Sequence, residues 1–440
     1  MRRLCLLAPL LAAACLDIPP RAGAGIDAPA GGADAPPACG PPSDGVGVVN
    51  GQGCVVPIGD VAPAAAIRVV APGLTVTYAN HPMNRVPRYP SSLVVGASSD
   101  LLFINDGRDQ SPADNPAQEC QLENGLGQAF FPLGTAAYAP NDEAAVQPSS
   151  LTVLSAGPVV AEVRTEWAGD ELYPCFAGEP IGGTTVLRFL PDGRILRQDE
   201  LTVGAPDPNT NCDTTCGFDP TDPGIVTSYV ALDRAAFTHW THPGGQDVVM
   251  PASVGRADLP AGEVGCTRGT VGAVGIRPQD HPGRLNLFEG DNGTARSIAL
   301  TTDLATMVTY AAGAPGMVSG QSALAVAAGA DCTRVAELLA DPPSVDNASW
   351  TPDNGWLYVD LVSPSSQTIT PFGRLGAFAV ELAVDPALPA PALTVTRGAT
   401  PLQEGLDYLR QELSQAGARS VLLWIKGGLA QGESLTFTRT

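Results

Sequence analysis

The chain is long enough for more than one domain and is strongly acidic. Its 440 residues include 45 Asp and Glu against 24 Lys and Arg, which gives a formal net charge of −21. A domain typically takes ~100–200 residues, so this length fits two or three domains. Nucleic acid and anionic membrane surfaces repel a chain of this charge, and we therefore expect no nucleic-acid partner.

The first residues predict export. Arg2 and Arg3 precede an apolar run, Leu4–Ala14, that stops at Cys15. The run covers 11 residues, whereas a membrane-spanning helix needs ~20. A charged start, a short apolar segment and small residues before a cut are typical of a secretory signal.

The end of this run, LAAAC at residues 11–15, resembles the bacterial lipoprotein signal. The resemblance implies a signal peptide over residues 1–14 and a lipidated Cys15 that attaches the mature chain to the membrane. An ordinary secretory signal is the alternative. Leu16 stands where some lipoproteins carry the aspartate that retains them on the inner membrane, so we expect an outer-membrane lipoprotein of the cell envelope.

Eight cysteines remain after Cys5 and Cys15. An even number of cysteines in an exported chain indicates disulfide bonds. Their grouping favours bonds between neighbours, namely Cys39 with Cys54, Cys120 with Cys175, Cys212 with Cys216, and Cys266 with Cys332. The absence of a C-x-x-C motif argues against a zinc site built on cysteine.

Composition divides the rest of the chain. Residues 15–60 are rich in Ala, Gly, Pro and Asp, which predicts a tether with too little apolar surface to order itself. Beyond it, apolar runs separated by Gly, Pro, Asn and Asp are typical of strands and turns. We predict an all-β protein with a large antiparallel β-sandwich over residues 61–335 and a small β-sandwich over residues 345–440.

Individual elements can be read from periodicity. Residues in Pro158–Trp167 alternate in polarity, which predicts a strand with one buried face and one wet face. Asp192-Gly193 between two further apolar runs predicts a hairpin. Helical spacing is found at Arg334–Leu339, and Leu406–Ala416 also fits a helix because its leucines recur every three or four residues.

Two segments resemble known families. GPVVAEVR at residues 157–164 and TVLRFLPDGRI at residues 185–195 resemble central strands of the supersandwich shared by galactose-mutarotase-like proteins and polysaccharide lyases. The tail from residue 393, with EGLDY at 404–408, resembles immunoglobulin-like modules of bacterial carbohydrate-active enzymes. The second resemblance implies strand and loop, instead of helix, over Leu406–Ala416. Neither resemblance transfers a functional residue.

Candidate catalytic residues come from two segments. HPMNRVPRY at residues 81–89 is locally basic and aromatic. A lyase acting on a uronate needs an arginine to neutralise the carboxylate and a histidine or tyrosine to take the proton. A histidine pair in the sequence THWTH could bind a metal or exchange protons, although in an extended strand the two would point to opposite faces. The candidates are His81, Arg85, Arg88, Tyr89, His239 and His242. A proline-stiffened loop and structural histidines are the alternatives.

A third segment suggests calcium. Oxygen-bearing side chains recur over residues 207–222, and calcium takes six to eight oxygen ligands. The candidate ligands are Asp207, Asn209, Asn211, Asp213, Asp219 and Asp222. A solvated turn in which these side chains bond their own backbone is the alternative. We expect no required cofactor, and a structural calcium ion is the one candidate.

The sequence favours a binding or presentation role at the cell envelope, with a glycan as the leading ligand. A polysaccharide lyase or sugar epimerase is the second hypothesis, and a structural envelope protein is the third. The chain has no G-x-S-x-G, H-E-x-x-H or phosphate-loop motif. Their absence argues against a serine hydrolase, a zinc protease or a nucleotide-binding enzyme.

Overall fold

The computed structural model describes residues 40, 43–62, 65–79, 89–96, 98, 100–101, 129–130, 147–169, 181–203, 225–242, 246–251, 255–289, 295–306, 316–329, 331–385, 392–415 and 418–439. Within these ranges the protein is all-β, as predicted, with strands arranged in sheets and a short α-helix between the two sets of sheets in sequence.

The first nineteen described strands build the large sandwich. In chain order they are β1 (Gly47–Asn50), β2 (Gly59–Asp60), β3 (Ile67–Ala71), β4 (Leu74–Ala79), β5 (Tyr89–Val95), β6 (Ala129–Phe130), β7 (Gln147–Ala156), β8 (Ala161–Gly169), β9 (Ile181–Phe189), β10 (Arg194–Val203), β11 (Ile225–Asp233), β12 (His239–His242), β13 (Gln246–Val249), β14 (Gly255–Leu259), β15 (Gly265–Arg268), β16 (Ala273–Pro278), β17 (Gly283–Glu289), β18 (Ala295–Thr306) and β19 (Gly316–Ala327).

These strands form three antiparallel sheets in the described part of the chain. A ten-stranded sheet has the order β13-β12-β15-β16-β19-β10-β9-β8-β7-β2. A four-stranded sheet (β1-β3-β4-β5) and a five-stranded sheet (β14-β17-β18-β11-β6) contribute to the same apolar core. Strand residues of alternate parity face this core, as in β3 and β4.

The small sandwich follows helix α1 (Cys332–Leu339), which lies where a helix was predicted. Its strands are β20 (Val345–Asp346), β21 (Ser349–Thr351), β22 (Trp356–Asp360), β23 (Ser366–Pro371), β24 (Phe378–Val384), β25 (Leu393–Arg397), β26 (Thr400–Pro401), β27 (Tyr408–Gln415), β28 (Ala418–Ile425) and β29 (Leu435–Arg439). The described strands form two five-stranded sheets, β20-β23-β29-β25-β26 and β21-β22-β24-β28-β27. A separate apolar core lies between them.

The predicted hairpin is confirmed between β9 and β10. Gly193 has a φ of +89°, which glycine adopts without strain. A Cβ at this position would lie 2.7 Å from the carbonyl oxygen of Val326. The turn therefore requires glycine both for its backbone conformation and for its close approach to β19.

The two sandwiches share an apolar interface. Leu196 and Ala325, on the outer face of the ten-stranded sheet, belong to one buried cluster with Trp356, Leu409 and Trp424 of the small sandwich. Because burial of apolar surface is the main favourable term in association, this cluster holds the two sandwiches together.

A buried glutamine adds a polar clamp to this interface. The Gln411 side-chain oxygen accepts hydrogen bonds from the backbone N–H groups of Val159 and Val160, both at 2.8 Å. Its amide nitrogen donates to the Val160 carbonyl at 3.1 Å and to the hydroxyl of Ser155. The side chain thereby satisfies two backbone N–H groups in the turn between β7 and β8, and the Pro158 carbonyl of the same turn accepts a hydrogen bond from Val46 at 2.9 Å.

The outer face of β8 differs from the sequence prediction. Glu162 was expected on a wet face, but it is 2% exposed and accepts a 2.9 Å hydrogen bond from Arg188. Arg188 also donates to the carbonyl of Asp353 at 3.0 Å. The small sandwich covers the outer face of β8 at Glu162, whereas Arg164 and Glu166 further along the same face are 27% and 42% exposed, as the alternation predicts.

The folded part also begins earlier than residue 61. β1 lies inside the predicted tether, pairs with β3, and buries Val48 completely in the large core. The Asp44 carboxylate forms an ion pair with Lys426. The composition of this segment does not predict β1, because the strand is ordered by contacts with residues distant in sequence.

The predicted helix at Leu406–Ala416 is wrong. Residues 408–415 form β27, which pairs with β28 from Tyr408 opposite Ile425 onward. Leu409 and Gln411 lie on the face that meets the large sandwich, whereas Leu406 is 68% exposed. Strand and loop, which the immunoglobulin-like resemblance implied, is the observed structure.

Among the described residues, no helix has the length and apolarity needed to cross a membrane.

Candidate functional site

The inner face of the ten-stranded sheet changes from apolar to polar along its strands. Strand register aligns side chains of β8, β9, β10 and β19 in rows across the sheet. The first row contains Ala161, Phe189, Ile195 and Leu324. The second contains Val163, Leu187, Arg197 and Ser322. The third contains Thr165, Thr185, Asp199 and Gly320. The second and third rows contain the polar side chains of Arg197, Ser322, Thr165, Thr185 and Asp199, and we call this end of the sandwich interior the polar end.

A buried ion pair occupies this end. Arg197 and Asp199 are two residues apart on β10 and therefore lie on the same face of the sheet. The Arg197 Nε atom lies 2.8 Å from Asp199 Oδ2, and each side chain is 1% exposed. The Thr185 hydroxyl donates to the other carboxylate oxygen at 2.6 Å. Charged side chains are expensive to bury, and here the ion pair and the hydrogen bond from Thr185 compensate that cost.

A tyrosine hydroxyl adjoins the pair. Tyr78 of β4 is fully buried beside Arg197, and burial raises its pKa far above the ordinary value, an effect that the positive charge of Arg197 partly offsets. The hydroxyl therefore stays protonated at neutral pH. Within the described part of the chain it has no hydrogen-bond partner, although buried hydroxyls almost always have one. It can both donate and accept a hydrogen bond.

The facing five-stranded sheet shows the same change. The inner residues of β18 are Ile298 and Leu300, followed by Thr302, and all three are fully buried. β18 ends at Thr306 and β19 begins at Gly316. The polar portion of β18 thus leads directly into the strand that carries Ser322, and polar side chains line one end of the sandwich interior on both sides.

Several strand connections leave from this polar end. Residues 170–180 join β8 to β9, residues 204–224 join β10 to β11, and residues 307–315 join β18 to β19. The predicted calcium ligands at 207–222 fall in the second connection, outside the described residues. Within the described residues no group of three or more His, Cys, Asp or Glu side chains is arranged to hold a metal ion.

The predicted catalytic residues are only partly described. His81, Arg85 and Arg88 lie outside the described residues, in the connection that starts directly after β4 and its Tyr78. Tyr89 is the first residue of β5 and is paired with Ala79.

The histidine pair lies in β12, at the far side of the ten-stranded sheet from β7. Trp240 faces the core, so His239 lies on the outer face. It stands opposite Arg268, which forms an ion pair with Asp247. A hydrogen bond from Arg268 is the main reason that the pKa of Asp247 is lowered. The structure therefore places His239 on an outer surface patch, on a different sheet from Tyr89, and not at the polar end.

Two of the predicted disulfide bonds involve described cysteines. Cys266 and Cys332 are bonded, as predicted, and tie α1 to the outer face of β15. Cys54 is also disulfide-bonded, but its predicted partner Cys39 lies outside the described residues. The four other predicted cysteines, Cys120, Cys175, Cys212 and Cys216, also lie outside them.

Sequence reasoning missed the residues that form the polar end. A signal was nevertheless present in β10, where Arg197 and Asp199 have the same parity as Ile195. If Ile195 faces the core, alternation places the two charged side chains inside as well. The two-residue alternation of side chains along a strand, applied to charged residues as well as apolar ones, would have identified the pair.

Comparisons with known proteins show likeness at the level of fold. No protein-family model and no curated protein matches the chain. A solved structure of a candidate aldose 1-epimerase from Klebsiella pneumoniae aligns with a TM-score of 0.39 and 12% identity, over 67% of this chain and 90% of that chain. Heparinase III aligns with a TM-score of 0.28 and 8% identity, over 87% of this chain and 41% of that chain.

The heparan sulfate lyase HepC from Pedobacter heparinus aligns with a TM-score of 0.26 and 10% identity, over 70% of this chain and 38% of that chain. This chain thus spans about two fifths of the length of each lyase.

Proposed function

We propose that this protein is a lipid-anchored binding protein of the cell envelope, and that the polar end of the large sandwich supports its ligand site. The observation that carries the proposal is the buried network of Arg197, Asp199 and Thr185 beside the Tyr78 hydroxyl, which has no hydrogen-bond partner among the described residues. In this proposal Arg197 and Asp199 are positioning residues. They fix the ends of β9 and β10 from which the ligand-contacting connections leave.

The proposed ligand class is a glycan with little negative charge. Residues 204–224, which follow β10 in the chain, include carboxylate, amide and hydroxyl side chains, which match the donors and acceptors of sugar hydroxyls. Asp199 already neutralises Arg197, and the chain carries a net charge of −21. A polyanionic ligand would therefore meet long-range repulsion, and Arg197 would offer it no charge that Asp199 does not already neutralise.

The segments that contact the ligand are also proposed. Residues 80–88, with His81, Arg85 and Arg88, continue directly from the strand that contains Tyr78. Residues 204–224, with the predicted calcium ligands, continue from the strand that contains Asp199. Both segments follow strands that contribute to the polar end, and we propose that they supply the ligand contacts.

The anchor belongs to the same proposal. Residues 1–14 would be removed as a signal peptide, and a lipidated Cys15 would hold the protein at the outer membrane. Mass spectrometry of the mature amino terminus tests this part. An unmodified Cys15, or a cut at another position, would contradict the anchor while leaving the ligand site untouched.

A glycan-array screen tests the binding role. The mature chain, with Cys15→Ser to keep it soluble in the assay, is expected to bind one or more neutral or weakly charged glycans. Binding should weaken in Arg85→Ala and Arg88→Ala variants if the 80–88 segment forms the surface. No signal on any glycan would overturn the proposal in favour of a structural envelope protein.

A lyase or epimerase is the second candidate function, favoured by the attachment of the His81 segment next to Tyr78. A lyase would remove a proton beside a uronate carboxylate, break the glycosidic bond and leave a carbon–carbon double bond in the product. Incubation with uronate-containing polysaccharides and ultraviolet detection of that double bond tests this candidate. An unchanged absorbance with every polymer would exclude the lyase, and an unchanged optical rotation of free sugars would exclude the epimerase.

A further inference from the structure

One end of the small sandwich is formed by three connections between its two sheets. Residues 372–377 join β23 to β24, residues 402–407 join β26 to β27, and residues 426–434 join β28 to β29. Strand register places them at the same end, because Ile425, the last residue of β28, is paired with both Tyr408 and Phe378, the first residues of β27 and β24. We name these three connections the tip.

Backbone hydrogen bonds fasten the connections of the tip to one another. Leu375 and Leu429 exchange hydrogen bonds of 2.9 and 2.8 Å between the first and third connections. The backbone N–H of Lys426 donates to the carbonyl of Asp407 at 3.1 Å, which joins the third connection to the second. The fold therefore sets the positions from which side chains leave this backbone.

Two large apolar side chains of the tip are exposed to solvent. Phe372, in the first connection, is 66% exposed, and Leu406, in the second, is 68% exposed. The N–H of Phe372 donates to the carbonyl of Ser344 at 2.9 Å, and the N–H of Asp407 donates to that of Gln403 at 2.8 Å. Single exposed apolar residues are common on protein surfaces. Here two of them share one end of a sandwich, and hydrogen bonds hold both turns.

The predicted tether meets the folded part beside the tip. Asp44 forms an ion pair with Lys426, whose Nζ atom also donates to the carbonyl of Gly405 at 2.6 Å, one residue before Leu406. Cys15 lies 29 residues before Asp44. A chain segment of this length spans at most ~100 Å. A lipid on Cys15 would therefore hold the tip within that distance of the membrane and make its encounter with the bilayer intramolecular.

A lipid surface fits these features better than a protein partner does. A stable protein interface takes ~800 Å² of each partner and has an apolar, closely packed centre. Phe372 and Leu406 lie on separate turns next to exposed charged residues, Arg374 and Glu404. The bilayer interface accepts apolar side chains in proportion to their buried area and needs no complementary shape. Weak insertion is sufficient there, because the anchor supplies a second attachment.

We infer that the tip is the face of the protein that rests on the anchoring membrane, with Phe372 and Leu406 inserted into the interfacial layer of the lipid. The inference rests on the lipid anchor of the proposed function and not on its ligand site. It adds a second membrane contact, made by the folded part of the chain.

Fluorescence quenching on vesicles tests this inference. The lipidated protein, purified without reductant, carries an environment-sensitive fluorophore on Gln431→Cys, an exposed position of the tip, or on Val362→Cys, beyond the opposite end of β22. Each protein is reconstituted in phosphatidylcholine vesicles with nitroxide on some of the headgroups. Inserted apolar groups reach ~5–10 Å into this layer, so we expect quenching at the Gln431 position to be at least about twofold stronger than at Val362.

Serine variants separate insertion from tethering. Phe372→Ser with Leu406→Ser should lower quenching of the Gln431→Cys label to the level of the Val362→Cys label, because the tether alone does not orient the protein. Val249→Ser with Val362→Ser is the matched control, since it removes two exposed apolar side chains outside the tip and should leave quenching unchanged. Quenching should also persist in 1 M NaCl, because apolar insertion is not screened by salt. Circular dichroism and thermal melting check that each variant is folded.

The outcomes distinguish this inference from the proposed function. Equal quenching at the two labelled positions, in a protein whose Cys15 is lipidated, would overturn the inference and leave the anchor in place. An unmodified Cys15 would overturn both. A dimer of the soluble Cys15→Ser chain that the Phe372→Ser, Leu406→Ser variant dissociates would assign the tip to a second copy of the chain instead. Glycan binding by the soluble chain judges the ligand site separately.

Discussion

Substitution of Asp199 by asparagine tests whether the polar end holds a true buried ion pair. Asparagine has nearly the same shape as aspartate and can still accept the hydrogen bond from Thr185. The substitution removes only the negative charge that faces Arg197, at a distance of 2.8 Å. The Arg197 guanidinium is then left in the sandwich interior without its neutralising carboxylate.

The expected cost follows from the burial of both groups. Each side chain is 1% exposed, so solvent cannot replace the lost partner. Breaking a buried pair by removing one partner typically destabilises a protein by about 3–5 kcal/mol. Thr185→Val removes one hydrogen bond to the carboxylate and is expected to cost about 1.5–3 kcal/mol.

The double variant Arg197→Met with Asp199→Val separates charge from packing. Replacing both charged groups by apolar groups often leaves stability unchanged or raises it, and we expect its free energy of unfolding to lie within about 2 kcal/mol of the wild-type value. Urea denaturation followed by circular dichroism, with the midpoint compared among the four proteins, measures these differences. A loss below about 1 kcal/mol for Asp199→Asn, or a double variant as unstable as the single one, would refute the buried-pair reasoning.

Four further variants probe the interface between the sandwiches, the Tyr78 hydroxyl, the disulfide bond and a partly exposed ion pair. Gln411→Ala leaves two buried backbone N–H groups without acceptors and should lower the free energy of unfolding by about 2–4 kcal/mol in urea denaturation. Tyr78→Phe removes a buried hydroxyl that has no partner among the described residues, and should leave the thermal midpoint unchanged or raise it. Cys266→Ala with Cys332→Ala opens a bond between cysteines 66 residues apart and should cost about 4 kcal/mol by loop entropy. A hydrogen bond from Arg277 lowers the pKa of Asp341, so Asp341→Asn should reduce the melting temperature at pH 6 but progressively less as the pH falls to 2.

The sign of the Asp341 prediction follows from linkage. A carboxyl whose pKa is depressed in the folded state stabilises the fold above its unfolded pKa of about 3.9 and loses that contribution as the pH falls. The Asp341 side chain is 59% exposed, so the effect should not exceed about 1 kcal/mol. A difference between variant and wild type that grows at low pH would contradict the assignment.

Matched variants control the other three predictions. Gln403→Ala changes an exposed glutamine of the small sandwich and should leave stability unchanged. Tyr358→Phe is the control for Tyr78→Phe, because it removes the hydroxyl of a tyrosine that is 36% exposed, and it should also leave stability unchanged. Wild type treated with a reductant should unfold at the same urea concentration as the double cysteine variant if the Cys266–Cys332 bond dominates the effect. A Gln411 variant as stable as its control would show that the interface does not need the clamp.

Much of the fold could be predicted from local features of the sequence. Asp192-Gly193 is a turn because glycine is required there, and α1 forms where an apolar face and Asp331 as its N-cap favour a helix. Leu409 and Leu413 were ambiguous because residues four apart share a face in both a helix and a strand. Gln411 resolves the ambiguity, since only a strand places it on the face that meets the large sandwich.

The candidate site was harder to predict because its residues violate the usual rule. Charged side chains are expected in water, so Arg197 and Asp199 were assigned no role, and Glu162 was assigned to a wet face. Their burial depends on sheets and on a second sandwich contributed by distant parts of the chain. β1 was missed for the same reason, because a four-residue strand in a Pro- and Gly-rich segment gains its order from β3.

The most direct test of the proposed function compares glycan binding by the wild type and by the Arg197→Met, Asp199→Val variant. The experiment uses the glycan that gives the strongest array signal and isothermal titration at equal protein concentration, after both proteins are shown to be folded. We predict that the variant stays within about 2 kcal/mol of the wild-type stability. Its affinity for the glycan should fall at least tenfold, a change of ~1.4 kcal/mol. Equal affinity in the two proteins would contradict the claim that the polar end of the large sandwich supports the ligand site.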